Sequence, residues 1–166
     1  EEAIGVANAL QLARPYVEGS RTMLYFSDNI TTWDFSADVA EFEKNESNPV
    51  AVLLAREVDD PKSFGVCELD EEGTVVDVVE KPERPPSNLA IGGIYLFDER
   101  FWGFLDSETE EGDGDFSISK ITRKYIRMGD VRIRNMGSST WIDCGTHESL
   151  LKASLMALDG EISVDF

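Results

Sequence analysis

Two apolar runs constrain this chain more than any other feature: residues 50–55 (VAVLLA) and 89–97 (LAIGGIYLF). A strand with one face in water alternates apolar and polar residues, because successive side chains point to opposite faces. Neither run alternates, so both read as strands covered on both faces, the pattern of a parallel sheet between helices. The covering helices are legible from their 3.6-residue spacing. Residues 3–14 carry Ile4, Val6, Ala7 and Leu10 on one side and stop at Pro15, and residues 34–44 turn Phe35, Val39 and Phe42 inward. Residues 98–105 form a short helix, and residues 117–128 align Ile118, Ile121, Tyr125 and Met128. The last helix, 146–158, has Thr146 as N-cap and Glu148 in its first turn, where an anion is favoured. Further strands are expected at 22–26 and at 131–136, the latter alternating and half-exposed. Residues 64–69 and 74–79 flank Asp70-Glu71-Glu72-Gly73 and read as a hairpin. The expected class is α/β: a mostly parallel, Rossmann-like sheet with a small hairpin insertion, in one domain spanning 1–166.

Charge narrows the functions open to such a fold. Fifteen Lys and Arg face 33 Asp and Glu, a net charge of −18. This surface repels phosphate backbones and anionic membranes, which argues against nucleic-acid and membrane partners. No run approaches the ~20 apolar residues of a membrane span, and the start Glu1-Glu2 is not that of a signal peptide. Two cysteines, Cys67 and Cys144, are too few for a disulfide scaffold and lack CxxC spacing; both read as buried thiols. A cytoplasmic protein is expected, and the dispersed carboxylates suggest a halophilic one, in which salt screens the self-repulsion.

Three places could carry chemistry. Asp28 follows directly on an apolar strand, where ligands gather in open α/β sheets; with Asn29 it could hold Mg²⁺ or simply close the strand as an Asx-turn. Asp143 lies between a short strand and a capped helix, with the same two readings. Glu80-Lys81-Pro82 ends a strand, and Pro82 predicts an extended exit; its plainer meaning is a surface ion pair. His147 is the only histidine, so histidine-based triads and two-histidine metal sites lack parts. The acidic stretch 107–115 reads as a solvated loop. No GxGxxG or P-loop pattern occurs.

Several stretches, in order, resemble the sugar-1-phosphate nucleotidyltransferases, and among them the glucose-1-phosphate thymidylyltransferases. They are Ile4-Gly5-Val6-Ala7-Asn8-Ala9-Leu10, Tyr25-Phe26-Ser27-Asp28-Asn29-Ile30, Ser63-Phe64-Gly65-Val66-Cys67-Glu68 and Val79-Glu80-Lys81-Pro82. Ser87 to Tyr95 and Trp141-Ile142-Asp143-Cys144-Gly145-Thr146-His147-Glu148-Ser149-Leu150-Leu151 complete the set. The resemblance implies transfer of a nucleotidyl group from a nucleoside triphosphate, dTTP, to glucose-1-phosphate, releasing pyrophosphate. It implies that Asp28 and Asp143 hold a catalytic Mg²⁺, that Glu80 binds sugar hydroxyls, and that Lys81 contacts the sugar phosphate. Gly65 and Trp141 fall on the sugar side and Gly5 near the nucleobase. If so, the Asp28 and Asp143 carboxylates should converge on one point.

The departures count too. Relatives open with a Gly-rich loop containing a catalytic arginine, then a lysine motif, and the sequence contains neither; it begins at the helix of Gly5, without the first βαβ portion. Asp113 stands where relatives carry an arginine for the sugar phosphate, and Asp115 in place of a glutamate. The chain alone is therefore expected to be inactive. The alternative is a non-catalytic relative that binds sugar phosphate or a protein partner. An open strand edge, together with the multimers common among relatives, points to a homo-oligomer.

Overall fold

The computed structural model describes residues 6–44, 50–110 and 116–162. In chain order the elements are α1 (Val6–Val17), β1 (Thr22–Tyr25), β2 (Asn29–Thr31), α2 (Ser36–Lys44), β3 (Ala51–Glu57), β4 (Gly65–Leu69) and β5 (Val75–Glu80). They continue with β6 (Leu89–Phe97), α3 (Arg100–Glu110), α4 (Ile118–Arg127), β7 (Val131–Asn135), β8 (Trp141–Asp143) and α5 (His147–Leu158).

The two apolar runs are β3 and β6, paired with each other at the centre of a sheet ordered β5-β4-β6-β3-β7. Both are covered on both faces, and this is why they do not alternate. On one face Ala51, Leu53, Tyr95 and Phe97 pack against Phe101 and Leu105 of α3 and Ile121 and Tyr125 of α4. On the other, Val52, Leu54, Ile94 and Leu96 pack against Phe42 of α2, Met136 and Trp141. Burial of this kind contributes roughly 1.5–3 kcal/mol per large apolar side chain. The core is pinned at one edge by Asp98, fully buried, which accepts from the Tyr125 hydroxyl at 2.9 Å and pairs with Arg100 at 2.8 Å.

The parallel core is realised in one ladder, β3 with β7; β6 runs antiparallel to β3, β1 and β4, and β4 to β5. Coverage of both faces dictates a continuous apolar run, whereas strand direction is set by the connections, so the pattern does not distinguish a parallel sheet from this mixed one. The β4–β5 hairpin forms as expected. β1 pairs with β6 along one side and with no other strand among the described residues.

Two boundaries differ most from expectation. α1 continues through Pro15 to Val17. Pro15 lies in the last turn, where its missing N–H removes only one helical bond, and Glu18 N–H still donates to the Arg14 carbonyl at 2.9 Å. α3 extends to Glu110, absorbing residues 107–110 of the expected acidic loop. The Ser107 and Thr109 hydroxyls donate to carbonyls of the preceding turn, and Glu108 pairs with Lys124 of α4 at 2.9 Å. No helix among the described residues is long and apolar enough to cross a membrane.

Candidate active site

At the end of β1 the chain turns, with Asn29 N–H donating to the Phe26 carbonyl at 3.0 Å, and enters β2. β2 pairs antiparallel with β8, Asn29 opposite Asp143, and Cys144 N–H donates to the Asp28 carbonyl at 2.6 Å. This long-range pairing brings Asp28 and Asp143 together. A Cβ placed on Gly145 would stand 2.9 Å from Asp143 Oδ1 and 3.8 Å from Asp28 Oδ2, so both carboxylates reach one small volume that glycine leaves open. In each carboxylate one oxygen is engaged: Asn29 Nδ2 donates to Asp28 Oδ1 at 2.9 Å, and Gly145 N–H to Asp143 Oδ1 at 2.8 Å. The Cys144 thiol beside them is pushed above its ordinary range by burial and then by the two carboxylates.

The other end is built by the hairpin, whose register sets Gly65 opposite Glu80. Ser119, 3% exposed near the start of α4, donates its hydroxyl to Glu80 Oε2 at 2.6 Å. A Cβ on Gly65 would lie 3.4 Å from that oxygen and 3.5 Å from Ser119 Oγ, filling the space above the pair. Lys81 does not take the extended exit expected before Pro82. Its φ is +43°, the only positive φ outside glycine among the described residues. Lys81 N–H donates to the Phe64 carbonyl at 2.9 Å, and Pro82 is buried. These two anchors hold a conformation that costs of order 1–3 kcal/mol and tends to occur at functional sites.

Between the ends, Trp141 donates Nε1–H to Asn29 Oδ1 at 2.7 Å and to the Gly92 carbonyl at 3.1 Å, and its ring packs on Phe64 at 5.0 Å. The Gly92-Gly93 pair sits where the β3–β6 register shifts. Gly93 has φ +67°, and a Cβ there would come within 2.9 Å of Asn29 Nδ2, so the close backbone approach read from sequence serves the site.

Most of these groups line one cleft of about 580 Å³, with Ser119 bonded to Glu80 from behind its wall. It holds Asp28, Asp143, Gly65, Glu80, Lys81 and Trp141 together. Gly5, Asp113 and Asp115 lie outside the described residues. Val6 lines the cleft next to Gly5's place in the chain. Sequence reasoning missed Ser119, which looks like an ordinary residue at a helix start, and the bonds of Asn29, of which only its place beside Asp28 was visible. His147 is exposed, as expected, and Cys67 is buried with its thiol pushed up to about 12.

The family profile for nucleotidyl transferases matches residues 1–160. The chain belongs to that family. A glucose-1-phosphate thymidylyltransferase of Xanthomonas campestris pv. campestris (strain B100) is 32% identical over 151 residues, 90% of this chain and 51% of its own length. A low-salt glycan biosynthesis nucleotidyltransferase of Haloferax volcanii is 27% identical, over 94% of this chain and 43% of its own. Among solved structures, a Bacillus anthracis protein assigned as a glucose-1-phosphate thymidylyltransferase superposes with TM-score 0.86 at 32% identity, covering 98% of this chain and 63% of that one. A UDP-glucose pyrophosphorylase at 20% identity and TM-score 0.79 shares the fold. The chain thus spans about half the length of the curated relatives it matches.

Proposed function

We propose that these residues form the sugar-phosphate and metal side of a nucleotidyltransferase that makes a nucleotide sugar, with glucose-1-phosphate and dTTP as substrates. The observation that carries the reading is the single cleft in which Asp28, Asp143, Glu80 and Lys81 converge. The reaction is in-line attack by a phosphate oxygen of the sugar phosphate on the α-phosphorus of the triphosphate. A new P–O bond forms, the bond to the β-phosphate bridging oxygen breaks, and pyrophosphate leaves. Such chemistry rests on positioning and charge neutralisation rather than on a covalent nucleophile.

The donor set fits Mg²⁺. Two carboxylates offer hard oxygens and reach one small volume at Gly145. That suits a cation which keeps waters and shares substrate phosphates rather than sitting in an all-protein cage. Bound between Asp28 and Asp143, Mg²⁺ would supply the positive charge that phosphates need in a cleft with three carboxylates and one lysine. Lys81 meets the sugar phosphate as a fixed cation. Glu80, with Oε2 held by Ser119, keeps its other oxygen to accept from a sugar hydroxyl. Trp141 and Phe64 form an apolar wall between the two ends.

Amide NMR of the 166-residue chain tests this reading. Glucose-1-phosphate should move the Gly65 and Lys81 resonances weakly and saturably, and Lys81→Ala should remove the effect. Unmoved resonances at high ligand concentration would sink the proposal. With dTTP added, this chain alone should release no pyrophosphate, because it lacks a Gly-rich, arginine-bearing phosphate loop. Robust Mg²⁺-dependent release, abolished by Asp28→Asn, would show that such a loop is dispensable.

A further inference from the structure

Asn29 is buried, yet both ends of its side-chain amide are engaged with cleft residues. Nδ2 donates to Asp28 Oδ1 at 2.9 Å, and Oδ1 accepts from Trp141 Nε1 at 2.7 Å. Its backbone is fixed as well. The carbonyl accepts from the Tyr25 hydroxyl at 3.0 Å, and the residue is in register with Asp143. Gly93 presents bare backbone to the amide, where a Cβ would come within 2.9 Å of Nδ2. A primary amide carries its donor and its acceptor on separate atoms, so it can donate to the carboxylate on one side and accept from the indole on the other, whereas a hydroxyl would have to do both at one oxygen. Aspartate there would set a second carboxylate against Asp28, and leucine would satisfy neither neighbour.

We infer that Asn29 is a positioning residue that couples the metal-binding carboxylate of Asp28 to the indole of Trp141, so that occupancy at one end of the cleft is felt at the other. The inference rests on the proposed role of Asp28 for its functional meaning, while the relay itself rests on the two bonds. With Asp28 Oδ1 engaged by the amide, Oδ2, which lies toward Gly145, is the oxygen left to a cation, and Asn29 would thereby fix how Asp28 presents it. A cation drawing on Asp28 polarises the amide, and the amide oxygen then meets the indole differently. Hydrogen bonds in a chain reinforce one another in this way. Ligand at the indole end alters the carboxylate by the same coupling, since linkage is reciprocal.

The test is the Trp141 indole NMR signal, assigned by its loss in Trp141→Phe. Asp28→Ala changes an exposed side chain that does not itself bond Trp141. It should nonetheless move the indole signal and speed exchange of the Asn29 side-chain amide protons. Asn29→Ala should remove the response of the indole to Asp28→Ala, as a two-by-two cycle. Mg²⁺ titration should move the same signal in the parent chain and leave it unmoved in Asn29→Ala. If Asp28→Ala leaves both the indole signal and the Asn29 amide exchange unchanged, the relay does not exist, and that result needs no Asn29 variant to fold. An indole response of equal size with and without Asn29 would also overturn it. Mg²⁺ that perturbs no amide near Asp28 or Asp143 would instead remove the metal assignment, while the Asp28→Ala comparison still decides the relay.

Discussion

Asp28 and Asp143 are far apart in the chain and meet only because β2 pairs with β8, whereas Gly65 and Glu80 are joined by one hairpin turn. The first end is assembled by tertiary structure and held by backbone: Cys144 N–H on the Asp28 carbonyl and Gly145 N–H on Asp143 Oδ1. The second is local, yet it carries the backbone strain, in Lys81 at φ +43°. A long-range end needs the whole fold to exist before its groups converge, and then it is geometrically relaxed. A local end is brought together by one short turn but must be held in its functional shape by neighbours, here the Phe64 carbonyl, buried Pro82 and Ser119. Trp141 touches both ends, through Asn29 on one side and Phe64 on the other.

The largest expected effect follows from that shared residue. Trp141→Ala removes a ring that is 9% exposed, packs on Phe64 and donates twice through Nε1. The cost should be about 3–5 kcal/mol of unfolding free energy, the usual range for deleting a buried aromatic. Urea unfolding measures it. A loss below about 1 kcal/mol would show that the two ends stand independently and that the ring is not part of their common frame.

A smaller effect of opposite sign separates the ends. Lys81→Gly relieves a left-handed conformation that disfavours any side chain, and it should stabilise the chain by about 1 kcal/mol. The same change should abolish the glucose-1-phosphate response at Gly65, because the fixed cation is gone. Stability should therefore rise as binding falls. Equal stability in the variant would mean that Lys81 is not strained by its surroundings, and retained binding would move the phosphate contact elsewhere.

The contrast between the ends also explains what could be read from the sequence. β6 was legible residue for residue at Leu89–Phe97, since burial on both faces imposes an uninterrupted apolar run. The hairpin followed from its turn residues and the capped α5 from Thr146, which accepts from Ser149 N–H at 3.1 Å. Of the seven site residues named by motif resemblance, six line one cleft, and Gly5 lies outside the described residues. What was not legible depended on distant partners. β2 has three residues and exists only opposite β8. Ser119 becomes part of the site only because α4 lies along β5, and Lys81 turns left-handed only because the Phe64 carbonyl and a buried Pro82 hold it. The direction of β6 was hidden because burial is blind to direction.

The smallest effect belongs to the frame that carries neither end. Arg14 of α1 forms a paired contact with Asp106 of α3, one arm at 2.9 Å, and also bonds Glu18. The guanidinium lowers the Asp106 carboxyl below its ordinary 3.8 and the Glu18 carboxyl below 4.5, in both cases chiefly through the hydrogen bond. A carboxylate whose folded pKa is depressed adds stability above its unfolded pKa and loses it as pH falls through the folded one. Glu18 is exposed and Asp106 only half-buried, so the contribution is modest and screened by salt. A raw acid titration would mix it with relief of the self-repulsion of a chain at −18, which has the opposite sign. The informative quantity is the stability gap between the parent chain and Arg14→Gln, measured by urea unfolding at successive pH values. The gap should be constant above about pH 5 and close as the solution is acidified through and below the ordinary carboxylate range. Molar salt at neutral pH should narrow it as well. A gap that persists undiminished at pH 3 would mean that Arg14 acts by packing its stem between α1 and α3 rather than through the carboxylates.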